Sequence, residues 1–288
     1  METKTSIRLQ TISKTGGITK MSQTENRIEK RFAELQAEGK KAFITYMTAG
    51  LPDMETTKAL IRAQEEAGTD IIEVGVPFSD STADGPVIQD ASYRSICNGT
   101  NLKKIFQAIE EIRVDCGIPI VFMMYYNTIM YYGIEAFAAK CAQVGIDGLI
   151  VPDLPKEEQD ELQEALDQTE NAPILIQLVS PVSGDRIPMI LENARGFVYC
   201  VSSMGVTGQA ADFHKNVRAY LENVKKISKI PVMMGFGIRT SADVEQLKDI
   251  IDGCIVGSHF IQLMEQHQYD LEVAKNYIRT FKKELNEA

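Results

Sequence analysis

Two acidic residues, Glu73 and Asp84, are the strongest candidates for acid–base chemistry in this chain of 288 residues. Glu73 lies in segment 70–76, whose apolar and β-branched composition predicts a buried strand. Side chains alternate along a strand, so Ile72 and Val74 face one way and Glu73 faces the other. If Glu73 faces the interior of a barrel, its carboxyl group is poorly hydrated and its pKa rises toward neutrality, as a group that gives and takes protons requires. The alternative is a buried glutamate paired with an arginine or lysine.

Asp84 lies in the loop that follows, at 77–86, which is too long for a tight turn. Long loops at this position are usually functional. Two roles fit the spacing of Asp84 equally well. Its carboxyl group could reach across toward Glu73, or it could cap the helix that is expected to begin near Val87.

Three glycine-containing turns near the end of the chain could bind an anion. They are 205–208, 235–238 and Gly257 with Ser258. Glycines allow a ligand to approach the backbone N–H groups closely, and a helix beginning after Gly257 would direct its positive end at a phosphate. One such turn is a weak signal, but three turns after successive strands indicate a phosphate site.

Apolar residues near the ends of three predicted strands could form a pocket for a flat aromatic group. They are Tyr46, Met123, Tyr125 and Ile150. The alternative is that they pack in a barrel core. Asp153, just past the fourth predicted strand, is a candidate to support the site from outside this pocket.

Short apolar strands alternating with helices must position these residues. Eight strands are predicted, at 43–48, 70–76, 118–126, 148–151, 174–179, 196–201, 231–234 and 253–256. Helices are predicted at 26–38, 54–67, 102–114, 134–144, 157–167 and 242–247. The phrases AGTDIIEVG, VGIDGLIV and IIDGCIVG are alike, and each enters a strand through an aspartate. This order predicts an α/β fold, a single (β/α)8 TIM barrel at 23–288 with an extra N-terminal helix, in which the active site forms at the C-terminal ends of the strands. A doubly wound open sheet is the alternative.

Composition excludes several classes of function. The formal net charge of −10 disfavours binding to nucleic acid or anionic lipid. No apolar run approaches the ~20 residues of a membrane span, and no secretory signal is present, so we expect a cytoplasmic protein.

Residues 1–22 are interpreted as a disordered leader. The five cysteines are expected to be reduced core thiols, and no metal is expected because the three histidines lack metal-ligand spacing.

Six segments together resemble the tryptophan synthase alpha subunit family: IIEVGVPFSD, ADGPVIQ, MYYN, GLIVPDLP, GVTG and GFGI. The resemblance spans roughly residues 26–285. Its most specific part is the pair of acids around VPFSD and ADGP, which related barrels with similar phosphate turns lack. It implies a lyase of L-tryptophan biosynthesis that cleaves indole-3-glycerol phosphate to indole and glyceraldehyde 3-phosphate, with no cofactor of its own.

The resemblance also implies residue roles. Glu73 would move protons between the glycerol hydroxyl and indole C3, and Asp84 would accept the indole N–H. Thr207 would orient Asp84 when the loop after the sixth strand closes. The implied phosphate-binding residues are Gly208, Phe236, Gly237, Gly257 and Ser258, and the implied indole pocket is Tyr46, Met123, Tyr125 and Ile150.

A beta subunit that carries pyridoxal phosphate is the implied partner, in an αββα complex that passes indole between subunits. The docking surface would be the loop 78–84 and the segment 126–130. Four positions depart from the usual family pattern: Ser81-Thr82 replace Pro-Leu, Thr128 replaces Pro and Ser203 replaces Arg. A phosphate-binding barrel isomerase of the same pathway, and a partner-binding subunit with weak catalysis, are the alternatives.

Overall fold

The computed structural model describes residues 25–201, 210–235 and 237–287, and the predicted leader at 1–22 lies outside these ranges. Within them, nine parallel strands form one sheet in the order β5-β4-β3-β2-β1-β9-β8-β7-β6. The strands are β1 (Ala42–Thr48), β2 (Ile71–Gly75), β3 (Ile120–Met123), β4 (Gly148–Ile150), β5 (Ile174–Leu175), β6 (Gln177–Val179), β7 (Val198–Val201), β8 (Val232–Gly235) and β9 (Gly253–Val256).

The barrel closes at the predicted fifth strand, 174–179. A break at Ile176 divides this strand into β5, which pairs with β4, and β6, which pairs with β7. The two ends of the sheet are therefore joined by a single residue of the chain. The predicted (β/α)8 barrel is confirmed, and the open doubly wound sheet is wrong.

Eleven α-helices surround or cap the barrel in the described ranges. They are α1 (Arg27–Ala37), α2 (Met54–Ala67), α3 (Pro86–Cys97), α4 (Leu102–Ile112), α5 (Tyr126–Tyr132), α6 (Ile134–Val144), α7 (Asp160–Asp167), α8 (Ile187–Leu191), α9 (Ala210–Ile227), α10 (Ser258–Gln266) and α11 (Leu271–Asn286). None of the helices in these ranges combines the length and apolar composition needed to cross a bilayer.

Three predicted elements need correction. The strand predicted at 118–126 ends at Met123, and its last predicted residue, Tyr126, instead begins α5. The helix predicted at 157–167 is a 3₁₀ turn, Lys156–Glu158, followed by α7. The helix predicted at 242–247 is a 3₁₀ segment, Ser241–Leu247, which starts with a capping box between Thr240 and Asp243.

The predicted extra helix is α1, and it closes the N-terminal end of the barrel. Asn26 caps it by accepting the N–H of Ile28. Ile28 and Phe32 are buried beneath the strands, where the rings of Phe32 and Phe197 lie 5.8 Å apart. A Cβ at Gly148 would approach the tip of the Ile28 side chain to 2.9 Å, so the glycine leaves room for Ile28. The interior of the barrel is therefore filled by α1 at this end.

The aspartates of the three similar sequence segments link adjacent strands by hydrogen bonds. Each accepts the N–H of the first or second residue of a neighbouring strand: Asp70 from Phe43 at 2.7 Å, Asp147 from Ile120 at 2.8 Å and Asp252 from Val232 at 2.7 Å. Each also pairs with cations, namely Arg31 and Lys282 at Asp70, Arg27 and Arg113 at Asp147, and Lys225 at Asp252. The sequence repetition therefore reflects a repeated structural contact.

Side chains of the strands divide between two cores, as the alternation predicts. Inward residues such as Ile44, Ile71 and Val121 pack inside the barrel. Outward residues such as Ile72 and Phe122 pack against the helices. Four of the five cysteines are buried, and all five are free thiols.

Candidate active site

Glu73 lies on the same face of β2 as Ile71 and points into the barrel. It is 1% exposed, and its Oε1 has no hydrogen-bond partner. No arginine or lysine of the described residues forms an ion pair with it, so the alternative of a paired structural glutamate is wrong for this part of the chain. Burial alone raises the pKa of Glu73 to about 8. The side chain is therefore a neutral acid near pH 7.

Two tyrosines flank this carboxyl group. Tyr46 is the register partner of Glu73 on β1, and its hydroxyl lies over Gly75, where a Cβ would clash with it at 2.0 Å. Tyr199 on β7 lies over Gly235 in the same way, with its ring 2.5 Å from where a Cβ would be. Burial raises the pKa of both phenols, and the nearby carboxyl groups raise it further. Both therefore stay protonated.

Tyr199 is not among the residues that the sequence predicts for the site. Its position on the inward face of the predicted strand 196–201, near the C-terminal end, was a signal that could have identified it, because the same alternation placed Glu73. Gly75 and Gly235 were further signals. Each leaves room for the large ring of the neighbouring strand.

Asp84 is half-buried at the mouth of the barrel. The Tyr125 hydroxyl donates to its Oδ2 at 3.2 Å. Burial raises the pKa of Asp84 to about 6, although the hydrogen bond from Tyr125 opposes the shift. The helix cap offered as an alternative role is wrong, because the N-cap of α3 is Gly85 and no side chain caps it. Asp84 is therefore mostly ionised near pH 7.

The loop that carries Asp84, residues 77–85, which we call the acid loop, is attached to the elements on either side. Its first residues are held by Ser92 of α3, which accepts the N–H of Phe78 at 2.8 Å. The rings of Phe78 and Tyr125 stack with their centroids 5.0 Å apart. Tyr125 also accepts the N–H of Ala83 at 2.9 Å. Tyr125 was predicted to contact indole, and it also holds the acid loop.

Asp153 connects the fourth strand to this arrangement. Its carboxylate accepts the N–H of Tyr126, at 2.9 Å to Oδ1 and 3.2 Å to Oδ2. Tyr126 is the first residue of α5, directly after Tyr125. Asp153 therefore fixes the start of α5 and, through it, the backbone next to Tyr125.

The four residues of the predicted indole pocket do not share one environment. Tyr46 and the partly buried Met123 contact a small apolar cluster with Leu51 and Ile261. Ile150 is fully buried with the inner barrel residues, beside Met123 in register. Tyr46 and Met123 thus border the same end of the barrel as Glu73, whereas Ile150 is also part of the barrel core.

The predicted phosphate-binding residues fall partly within the described ranges. Gly237 is exposed and has φ +75°, and a Cβ at this position would meet no other atom within 4 Å. Gly257 is the N-cap of α10, which begins at Ser258 and has no side chain capping it. The first backbone N–H groups of α10 are thus available to an anion. Thr207, Gly208 and Phe236, with turn 205–208 and Ser203, lie outside the described residues.

Comparison with known proteins identifies the family. The family described as tryptophan synthase alpha chain matches residues 32–288. A tryptophan synthase alpha chain from Lachnospira eligens is 64% identical over 91% of this chain and 99% of its own length. One from Thermoanaerobacter sp. is 44% identical, again over 91% of this chain and 99% of its own. The chain belongs to the tryptophan synthase alpha family.

A solved structure agrees with this tryptophan synthase alpha assignment. The crystal structure of tryptophan synthase subunit alpha from Legionella pneumophila matches with a TM-score of 0.83 at 31% identity, covering 91% of this chain and 99% of that one. The protein is therefore an enzyme, a lyase that performs the alpha reaction of tryptophan biosynthesis, the cleavage of indole-3-glycerol phosphate. The sequence resemblance is confirmed.

Two positions at which this chain departs from the usual tryptophan synthase alpha pattern lie in the acid loop. Ser81 is 5% exposed, and its carbonyl accepts the N–H of Asp84 at 3.1 Å. Thr82 is exposed and donates its N–H to Asp80 at 2.8 Å. Hydrogen bonds therefore order the turn where the family usually has a proline. Thr128, the third departure, lies in α5, and its N–H donates to Tyr125 at 3.1 Å.

Proposed function

We propose that Glu73 and Asp84 carry out the alpha reaction by proton transfer and charge stabilisation. The observation that carries this proposal is the contrast between two carboxyl groups at one end of the barrel. Glu73 is fully buried and neutral near pH 7, whereas Asp84 is half-buried and mostly ionised. Carboxyl groups with pKa values set apart by their surroundings can take the acid and the base role in one site.

In the proposed reaction, protonated Glu73 donates its proton to C3 of the indole ring. Positive charge develops on the ring, and the Asp84 carboxylate stabilises it by accepting the indole N–H. The Glu73 carboxylate then takes the proton of the glycerol hydroxyl, and the carbon–carbon bond breaks to give indole and glyceraldehyde 3-phosphate. Glu73 ends the cycle protonated, so no proton is gained or lost.

Binding is assigned to the surrounding residues. The turn at Gly237 and the start of α10, with Gly257 and Ser258, hold the phosphate through backbone N–H groups. Gly208 and Phe236 complete this site, and Thr207 orients Asp84 on loop closure, as the family resemblance implies. The indole ring lies among the pocket residues Tyr46, Met123, Tyr125 and Ile150.

The partner is a tryptophan synthase beta subunit in an αββα complex. We assign the pyridoxal phosphate to that subunit and no cofactor to this chain, which we place in the cytoplasm. The docking surface is the loop 78–84 with the segment 126–130. Large exposed apolar side chains at the end of α5 support it, since Met130 is 57% and Tyr131 94% exposed. Direct docking would keep apolar indole from escaping across membranes.

Product analysis tests this function. The purified chain is incubated with indole-3-glycerol phosphate, and indole and glyceraldehyde 3-phosphate are quantified separately. We expect the two products in equal amounts. Absence of indole release, or indole without an equal amount of glyceraldehyde 3-phosphate, would contradict the proposed function.

A further inference from the structure

One side chain of α3 bridges both ends of the turn that presents Asp84. The carboxamide Nε2 of Gln89 donates to the carbonyl of Ser81 at 3.1 Å and to the carbonyl of Asp84 at 2.9 Å. Asp84 itself donates its N–H to the carbonyl of Ser81 at 3.1 Å. The turn from Ser81 to Asp84 is therefore closed by its own hydrogen bond and braced by Gln89.

Gln89 lies on the same face of α3 as Ser92, which follows it by three positions. Ser92 accepts the N–H of Phe78 and donates to its carbonyl at 3.2 Å. Residues three apart on a helix are neighbours on its surface. One face of α3 thus holds the beginning of the acid loop through Ser92 and its end through Gln89.

Tyr125 holds the same turn from the opposite side. Its hydroxyl accepts the N–H of Ala83 and donates to the Asp84 carboxylate. Gln89 of α3 therefore holds the carbonyls of Ser81 and Asp84, and Tyr125 holds the N–H of Ala83 between them. The direction of the carboxylate depends on both.

We propose that Gln89 is a positioning residue for Asp84, and this inference rests on the role of Asp84 in the proposed function. The need for it follows from the geometry of the turn, because Gln89 is the side chain that joins the carbonyls at its two ends. Without Gln89, the carbonyl of Asp84 loses its described side-chain donor and the turn can rotate. The carboxylate then no longer meets the indole N–H in a fixed geometry.

Two variants separate the hydrogen bonds of Gln89 from its bulk. Gln89→Leu removes the donors with little loss of volume, and Gln89→Glu keeps the shape but is an acceptor only when ionised. We expect kcat for indole formation to fall by about 10- to 100-fold in both, because small misplacements of a catalytic group have effects of this size. KM for indole-3-glycerol phosphate and thermal protection by glycerol 3-phosphate should stay near wild type.

Gln107→Leu is the matched control. Gln107 is an exposed glutamine of α4 whose Nε2 donates to Glu111 of its own helix, away from the acid loop. This variant should keep wild-type kcat. A similar loss of kcat in Gln107→Leu and Gln89→Leu would overturn the proposal, as would unchanged kcat in Gln89→Leu.

A double-variant cycle identifies Asp84 as the residue through which Gln89 acts. In an Asp84→Asn background, Gln89→Leu should lower kcat no further, because the carboxylate it positions is gone. An equal further loss would contradict the proposal. Failure of the proposed function has a different signature, since it would appear as near wild-type cleavage by Asp84→Asn itself.

Discussion

Glu73 and Asp84 differ in protonation because the barrel hydrates them differently. Burial is the main cause of both raised pKa values, and it is more complete at Glu73. Desolvation disfavours a carboxylate, so the deeper group holds its proton and the group at the mouth releases it. Under the proposed mechanism, the active form of the enzyme has Glu73 protonated and Asp84 ionised.

The pH dependence of kcat/KM should therefore be bell-shaped. Activity rises as Asp84 ionises, with its pKa at about 6, and falls as Glu73 loses its proton, with its pKa at about 8. In Asp84→Asn the remaining activity should lose the acidic limb and keep the basic one. Indole release measured across the pH range checks this. Retention of the acidic limb in Asp84→Asn would remove Asp84 from the assignment.

Replacing Glu73 with glutamine should stabilise the fold while removing activity. The unfolded chain releases this proton near pH 4.3, the ordinary value for glutamate, whereas the folded chain keeps it until about pH 8. In that window the folded state binds more protons, so wild-type stability falls as pH rises. Glu73→Gln lacks this loss. The difference in free energy of unfolding between Glu73→Gln and wild type should therefore be about 2–5 kcal/mol larger at alkaline pH than at acidic pH, in favour of the variant.

Urea unfolding at acidic and alkaline pH measures the effect. Glu135→Gln, at an exposed position on α6, is the control and should shift stability little at either pH. A difference between Glu73→Gln and wild type that does not change with pH would show that Glu73 does not carry a raised pKa in the folded protein.

The alternation of side chains along one segment was sufficient to place Glu73, but it could not identify the hydrogen-bond partner of Asp84. Alternation along segment 70–76 determines which side chains face inward, and the structure agrees. The hydroxyl that contacts Asp84 belongs to Tyr125, 41 positions away in sequence. Spacing cannot resolve such a contact, because it depends on how β3 and the following backbone align with β2.

At the scale of elements, the start of α10 and the turn at Gly237 are the described part of the proposed phosphate site. Glycerol 3-phosphate should raise the unfolding temperature of the wild type, because a ligand that binds only the folded state stabilises it. Gly237→Asp should abolish this protection by placing a carboxylate at the site. Differential scanning fluorimetry with and without glycerol 3-phosphate measures it, and glycerol alone should not protect.

Gly39→Asp is the matched control for this substitution. Gly39 has φ +65° and open space around it, like Gly237, but it follows α1 at the opposite end of the barrel. The same backbone strain therefore applies in both variants. Protection should persist in Gly39→Asp, and its persistence in Gly237→Asp as well would refute the proposed turn.

Asp147 is one of the three aspartates that link adjacent strands. It should contribute far more to stability than an aspartate in an exposed ion pair. Its side chain is 4% exposed and that of its partner Arg113 is 10% exposed. Asp147→Ala should destabilise the fold by about 3–5 kcal/mol, because it leaves a buried guanidinium unpaired. Asp115→Ala, which breaks a pair with Arg62 in which both side chains are largely exposed, should cost far less. Equal urea midpoints for the two variants would contradict this ranking.

Sequence periodicity predicted which elements exist better than where they end. The predicted strand 118–126 runs on too far because its apolar character continues past Met123, while the N–H acceptor that starts α5 is Asp153 on another loop. The break at Ile176 was also not predictable from the pattern. It arises because the chain changes pairing partners there to close the barrel.

At the scale of the whole molecule, α1 fills one end of the barrel, and the proposed catalytic and docking residues lie at the other. The acid loop and the segment 126–130 lie at this open end, next to each other through Tyr125. A partner that binds both could order the loop that holds Asp84 and so raise activity by shifting the loop population. Ser81 lacks the fixed φ of a proline, so the acid loop has more conformational entropy to lose on docking, and the cognate beta subunit should be preferred to a foreign one.

The most direct test is the rate of indole formation from indole-3-glycerol phosphate during titration with the cognate beta subunit, with complex formation followed by sedimentation. Wild type should show a weak rate alone that rises by about an order of magnitude or more as the complex forms. Glu73→Gln should form the same complex, yet stay about two to four orders of magnitude slower at every point. Cleavage by Glu73→Gln at near the wild-type rate in the saturated complex would contradict the account.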